Sequence, residues 1–258
     1  MIVIPMVGRS RRFFEAGYTM PKYRLPLGGK SVFALSVGSF KQVAEREEVL
    51  IVCLREDNAA DFARRELDHL EIARSRVVEL PCMTAGQADT VSQGISASGA
   101  SAEESVLIFN IDTFRPGFDY PRTFASEGID GYLECFIGSG PNWSNAVPAG
   151  PGSNRVVRTS EKRQESEYCC TGLYYFRRAG DFDRAYQAEL AVHARGLAQT
   201  NELYVAPIYN HLIAEGADIR VDVVSPQQVI FCGVPSEYQS LLQSPPLELQ
   251  QYLANLAA

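Results

Sequence analysis

Positive charge is the scarcer sign in this chain. Lys and Arg number 24 against 31 Asp and Glu in 258 residues, a net charge of −7 with a pI near 5.1. A global basic field for nucleic acid or an anionic membrane surface is thereby excluded, and any bound phosphate must be met by a local cluster. No apolar run approaches the length of a membrane span. The opening Met1-Ile2-Val3-Ile4-Pro5 has no basic leader, long apolar stretch or small-residue cleavage site, so no secretory signal is read and a cytoplasmic location is expected. None of the six cysteines (Cys53, Cys82, Cys135, Cys169, Cys170, Cys232) forms a CxxC pair, which favours reduced core thiols over disulfides or zinc. Histidine is rare: His69, His193 and His211 lie scattered on helix-like segments, and no Ser/His/Asp or Cys/His set suggests a covalent nucleophile. Repeats, low-complexity tracts and linkers are also missing, so one domain spanning 1–258 is expected.

What remains is an ordinary globular composition, 46% hydrophobic and 21% charged, enough for a sizeable core. Apolar runs at Ile2–Ile4, Val49–Cys53, Arg76–Leu80 and Val106–Phe109 read as strands. Between them Ser31–Glu45, Asn58–Asp68 and Gln87–Ile95 read as helices. Such alternation predicts parallel strands, right-handed crossovers and helices on both faces. Ligands of such sheets sit beyond the carboxyl ends of the strands, which here are followed by Met6–Lys30, Pro81–Gln87 and Asn110–Arg115. The second half is richer in strands: Gly131–Ile137, Val156–Thr159, Cys169–Phe176 and Ile219–Val224. Helices are expected over Asp181–Gln199, Asn201–Glu215 and Leu247–Leu256, and Pro141–Asn154, which carries the lone Trp143, reads as a loop or hairpin over the site.

The segment after the first strand, Met6-Val7-Gly8-Arg9-Ser10-Arg11-Arg12-Phe13, combines a small residue with three arginines, and Pro21-Lys22 follows. Backbone N–H groups beside a glycine can approach an anion, and arginines can neutralise it. A solvated basic loop would look the same, and only its place at a strand end favours the phosphate reading. Asp112 likewise follows a buried strand, where it can bind a metal or merely cap a turn.

Taken together, Ile4 through Lys22 and Leu25-Pro26-Leu27-Gly28-Gly29-Lys30 resemble the N-terminal signature of the sugar-phosphate nucleotidyltransferases, the NDP-sugar pyrophosphorylases, with phosphocholine cytidylyltransferases as relatives. Gly86-Gln87-Ala88, Phe109-Asn110-Ile111-Asp112-Thr113, Ser160-Glu161-Lys162, Cys170-Thr171-Gly172-Leu173-Tyr174, Asn201-Glu202-Leu203-Tyr204 and Gly233-Val234-Pro235 through Tyr238 extend the resemblance in order along most of the chain.

The resemblance implies a Rossmann-like, three-layer α/β fold of the GT-A-like kind with a mixed central sheet. The nucleotide-binding half would be 1–115 and the acceptor-binding half 116–258. It implies that Val7, Gly8, Arg9, Gln87 and Asn110 hold the nucleotide and that Arg12 and Lys22 contact the triphosphate. Asp112 would bind Mg²⁺, and Glu161, Lys162, Gly172 and Glu202 would hold a phosphorylated small-molecule acceptor. Two departures stand out. Ser10-Arg11 replaces the usual Gly-Ser/Thr, and Phe231 stands where a second metal-ligand Asp is common, so that either another carboxylate such as Asp222 substitutes or Asp112 and the nucleotide phosphates hold Mg²⁺ alone.

The implied reaction is attack of an acceptor phosphate on the α-phosphorus of a nucleoside triphosphate. A phosphate dianion needs no strong general base, which agrees with the missing triad. Two alternatives are a nucleotide-sugar-dependent glycosyltransferase, although Asp112-Thr113-Phe114 lacks an Asp-x-Asp pair, and a non-catalytic nucleotide-binding regulator. Neither nucleic acid nor membrane is an expected partner. A homo-oligomeric assembly is left open.

Overall fold

This computed structural model describes residues 1–56, 58–122, 124, 128–198 and 200–257. Strands β1 (Ile2–Met6), β4 (Val49–Leu54), β5 (Ser75–Leu80) and β6 (Val106–Phe109) run parallel in the order β6-β1-β4-β5. Every residue of β4 and β6 is buried, as expected of strands covered on both faces, and each such aliphatic side chain contributes about 1.5–3 kcal/mol. Alternation along β1 divides the core. Ile2, Ile4 and Met6 pack with helices α2 (Val32–Gly38) and α3 (Ala59–His69), while Val3 packs on the opposite face with α4 (Gln87–Ser98) and α5 (Ala179–Ala194). The three layers follow from that two-residue period.

Antiparallel and mixed pairing extends the sheet beyond β6. Strand β11 (Tyr168–Phe176) is antiparallel to β6 and to β8 (Gly131–Ile137), and β12 (Ile219–Val223) runs parallel to β8. The hairpin β9 (Ser144–Pro148) to β10 (Val156–Glu161) completes a nine-stranded sheet among the described residues. No helix among them is long and apolar enough to cross a membrane.

Several elements differ from those the sequence predicts. The expected loop Met6–Lys30 contains a short helix α1 (Arg11–Glu15), a 3₁₀ turn Lys22–Arg24, and strand β2 (Pro26–Leu27), which pairs with β3 (Lys30–Ser31). The helix expected to reach Glu45 stops at Gly38, and a separate 3₁₀ turn covers Val43–Glu45. A glycine at that position weakens the helix. The helix expected over Asn201–Glu215 is only α6 (Tyr209–Ala214), preceded by a 3₁₀ turn, Ala206–Ile208. Pro207 lacks the N–H needed to carry a helix through that turn. Residues upstream pair elsewhere: the Leu203 N–H donates to the Ala85 carbonyl at 3.0 Å, and the Ala88 N–H to the Leu203 carbonyl at 2.9 Å. Gln199, the expected end of the preceding helix, lies outside the described residues. Short strands β7 (Thr113–Phe114) and β13 (Ile230–Phe231) pair with each other, and helices α7 (Pro235–Gln243) and α8 (Leu247–Ala257) follow.

Candidate active site

Two cavities open at the carboxyl ends of β1, β5 and β6. The first, about 500 Å³, is lined by Val7, Gly8 and Arg9 after β1, by Gly86 and Gln87 entering α4, and by Glu202. The second, about 490 Å³, is lined by Arg12, Trp143, Glu161, Lys162, Gly172 and Phe231, among others. Lys22, Gln87, Asn110 and Asp112 belong to both, so they form the partition where the cavities meet.

An ion pair occupies this junction. Lys22 Nζ donates to Asp112 Oδ2, and the two side chains are only 20% and 17% exposed. Local structure presets the contact. The Lys22 N–H donates to Ser10 Oγ at 3.0 Å, and Ser10 is itself in the left-handed region with φ 51°. The departure at Ser10 thus acquires a role, because it pins the turn that carries Lys22. Its neighbour Arg11 is fully exposed and pairs with Glu15 at 2.6 Å. On the other side, the Cys232 N–H donates to the Asp112 carbonyl at 2.9 Å.

Asn110 is held from three directions. Gln87 Nε2 donates to Asn110 Oδ1 at 2.5 Å, and Ser36 Oγ donates to the Asn110 carbonyl at 3.0 Å. The third restraint is Gly172 in β11. Its φ is +97°, and a Cβ there would stand 2.3 Å from Asn110 Nδ2, so only glycine fits both the backbone and the space. Gly86 obeys the same logic: its φ is +152°, and a Cβ would stand 2.5 Å from the Leu203 backbone. That close approach is what carries Glu202 and Tyr204 to the cleft.

The second cavity has its own polar apparatus. Glu161 ends β10 opposite Ser144 on β9, whose hydroxyl donates to Glu161 Oε2; the Tyr174 hydroxyl donates to Ser144 Oγ at 3.4 Å. Burial pushes the Glu161 carboxyl above its ordinary 4.5, against the opposing pull of the Ser144 bond and of Lys162. Lys162 is in the left-handed region, φ 53°. Its N–H donates to the Trp143 carbonyl at 3.1 Å, and its ammonium donates to the Tyr204 hydroxyl and lies 4.5 Å from that ring's centroid. Burial, then the bond to Glu202, raises the Tyr204 hydroxyl well above 10.0.

Arg12, which the sequence pairs with Lys22 on the triphosphate, lines the second cavity and not the first. Glu202, expected on the acceptor side, lines the first and acts electrostatically on Glu161 of the second. Ser144, which buttresses Glu161, escaped the sequence reading, because only the 144-to-161 strand register brings it there; Tyr174, within the Cys170–Tyr174 motif, supports it from β11.

Asp222 does not substitute for a second metal carboxylate. It lies opposite Glu134 in the β12–β8 pairing and faces Arg115, away from both cavities. Phe231, paired with Thr113 beside Asp112, turns its ring toward Trp143 and Phe136. Among the described residues no three His, Cys, Asp or Glu side chains gather as a metal-binding group. Asp112 is the one carboxylate shared by both cavities. A single hard oxygen ligand fits Mg²⁺, which keeps waters and takes substrate phosphates as its other ligands.

No protein-family model matches the chain, and no curated protein matches it in sequence. Solved structures do. The chain is 42% identical to the nucleoside-diphosphate-sugar pyrophosphorylase from Vibrio cholerae RC9, over 95% of this chain and 100% of that one, with a TM-score of 0.89. It shares its fold with the inositol-1-phosphate CTP transferase from T. maritima, at 14% identity and TM-score 0.71 over 99% and 95% of the two chains. A structure assigned as a glucose-1-phosphate thymidylyltransferase from Bacillus anthracis is similar at 16% identity and TM-score 0.71, over 95% and 94%.

Proposed function

The chain belongs to the nucleoside-diphosphate-sugar pyrophosphorylase family and is a nucleotidyltransferase, and from that premise we propose that it transfers a nucleoside monophosphate from a nucleoside triphosphate to a sugar 1-phosphate, releasing pyrophosphate. The observation that carries this reading is the Lys22–Asp112 pair on the partition between two cavities. A two-substrate transfer needs a donor chamber, an acceptor chamber, and charge control where they touch.

In this reading the nucleotide takes the first cavity. Backbone N–H groups of Val7, Gly8 and Arg9 approach the phosphates, and Gln87 and Asn110 contact the nucleoside. The acceptor phosphate takes the second cavity beside Lys162 and Arg12, with Glu161 and Gly172 against its carbon skeleton and Glu202 bordering both sites. A phosphate oxygen of the acceptor attacks the α-phosphorus. A P–O bond forms, and the bond to the β-phosphate's bridging oxygen breaks with that electron pair. Lys22 neutralises charge on the reacting phosphoryl group, and in-line placement supplies much of the rest. Asp112, with the nucleotide's own phosphates, would hold Mg²⁺, which when bound supplies further charge neutralisation. Residues 1–115 form most of the donor side and 116–258 most of the acceptor side, with Arg12 and Glu202 crossing over.

The test is pyrophosphate release across CTP, UTP, dTTP, ATP and GTP, each with a series of sugar 1-phosphates. Release that needs both substrates and fails in Asp112→Asn is the expected result. Release of a nucleoside diphosphate from a nucleotide sugar, with no pyrophosphate, would identify a glycosyltransferase instead.

A further inference from the structure

Phe231 stands beside the metal-side carboxylate, where nothing in nucleotidyl transfer calls for an aromatic ring. It is not an isolated substitution. Its ring centroid lies 4.8 Å from that of Trp143 and 5.3 Å from that of Phe136, and Trp143 and Phe136 lie 5.0 Å apart. Three chain segments meet here: β8, the entry to β9, and β13. Trp143 and Phe231 both line the second cavity, and Phe136 packs behind them. The two lining rings are inclined at 55°, so they make a corner at the cavity wall. The main chain that carries the corner is tied to the residue whose ammonium would hold the acceptor phosphate, since the Lys162 N–H donates to the Trp143 carbonyl at 3.1 Å.

Two kinds of group pack on such rings, cations and apolar carbon surfaces. Charge decides between them. Leaving aside Arg11, which is exposed and paired with Glu15, the cavity lining carries three cationic side chains, Arg12, Lys22 and Lys162, against three carboxylates, Asp112, Glu161 and Glu237. Glu161, bonded to Ser144 next to Trp143, has its anionic form disfavoured by burial. Lys162 already places an ammonium on Tyr204. A second cation on Trp143 would meet net repulsion, whereas a neutral ring with C–H groups on one face and hydroxyls at its rim would find aromatic carbon and polar partners together.

We propose that Trp143 and Phe231 form the recognition corner for the acceptor's carbon skeleton and select a pyranose ring, bound by its C–H face, whose phosphate lies toward Lys162. The proposal rests on the reading of the second cavity as the acceptor site.

Trp143 is the only tryptophan in the chain, so its emission reports the corner directly and without turnover. The parent is titrated with hexopyranose 1-phosphates, with inorganic phosphate and with tetramethylammonium. A saturable emission change is expected with at least one hexopyranose 1-phosphate and with neither control. Phe231→Ala should weaken that binding roughly tenfold, and Phe231→Leu, which keeps apolar bulk, by less. In turnover, Phe231→Ala should raise the acceptor KM while the triphosphate KM stays within about twofold, since apolar contact is lost on one side of the partition only. Saturation by tetramethylammonium would overturn the proposal in favour of a cationic acceptor. Failure of every hexopyranose 1-phosphate to move the emission, or an unchanged affinity in Phe231→Ala, would overturn it outright. A sugar phosphate that moves the emission but never yields pyrophosphate would keep the corner and defeat the nucleotidyl-transfer reading.

Discussion

At the scale of single residues, the site works by opposing charges held at close quarters. Lys22 is anchored twice, by Ser10 through its backbone and by Asp112 through its ammonium. Lys22→Ala should leave the fold intact and lower kcat/KM roughly 100- to 1,000-fold, the usual loss when one preset donor to a developing charge is removed. Steady-state kinetics on a variant with parental circular dichroism checks this, and a near-parental kcat/KM would discard the role. Glu161 makes a second prediction, about pH. Its folded carboxyl titrates above its ordinary 4.5, so the folded state holds that proton more tightly than the unfolded chain. The stability it contributes is present below that ordinary value and is lost as pH rises through the raised one. Gln does not titrate. The parent's stability relative to Glu161→Gln should therefore fall across that window and then level off. Urea midpoints measured at a series of pH values give the answer, and a constant difference would mean that burial of Glu161 has no thermodynamic consequence.

At the scale of elements, a buried polar network ties the segment after β6 to β8 and β11. Arg115, just after β7, donates through Nε to Glu134 Oε2 of β8 at 2.9 Å, and Thr171 of β11 donates to Glu134 Oε1 at 2.9 Å. The side chains of Arg115 and Glu134 are 8% and 1% exposed. Thr171 precedes Gly172, and Arg115 follows Asp112 by three residues, so the network fixes the two segments that meet at Asn110. Glu134→Ala strands a buried guanidinium and should cost about 3–5 kcal/mol, while the double variant Arg115→Met/Glu134→Leu should recover most of that loss. Denaturation curves of the three proteins decide it. If the single variant is no weaker than the double, the pair is structurally idle. Elements of this kind also mark the limit of sequence reading. The parallel strands were legible because runs such as Val49–Leu54 are continuously apolar, and Asp112 was legible from its place after one of them. Tyr204, Ser144 and the true extent of α6 were not. Each depends on pairings between residues far apart in the chain, Leu203 with Ala85 and Ser144 with Glu161, which leave no periodic trace. Asp222 misled for the related reason that a carboxylate on a strand faces whichever side the register dictates, here toward Arg115.

At the scale of the whole molecule, an acidic body carries a basic cleft. The net charge is −7, yet Arg9, Arg11, Arg12, Lys22 and Lys162 all line the two cavities. In the proposed reaction both substrates are anionic, so the body repels what the cleft attracts, and the balance is local. Exposed attractions are screened over about 10 Å at 0.1 M salt, and raising NaCl from roughly 0.05 to 0.5 M should increase both substrate KM values severalfold, with kcat less affected. Initial rates at several salt concentrations test this, and salt-independent KM values would show that enclosed contacts, not the exposed arginines, hold the phosphates.

The third apolar cluster has a consequence in time. It joins Phe13, Leu25, Leu27 and Val32, in and beside the loop after β1, to Ile230, Tyr238, Leu249 and Tyr252. A ribosome delivers these partners about 200 residues apart, which at roughly 5–20 residues per second is an interval of ten to forty seconds. Through that interval the parallel strands can pair, but the loop that follows β1 has no cover. The apolar cluster that backs it stays incomplete until those partners arrive. The segment after β1 is thus made long before its apolar backing is complete. Under the proposed function, binding of nucleotide is a property that α7 and α8 confer on residues made long before them.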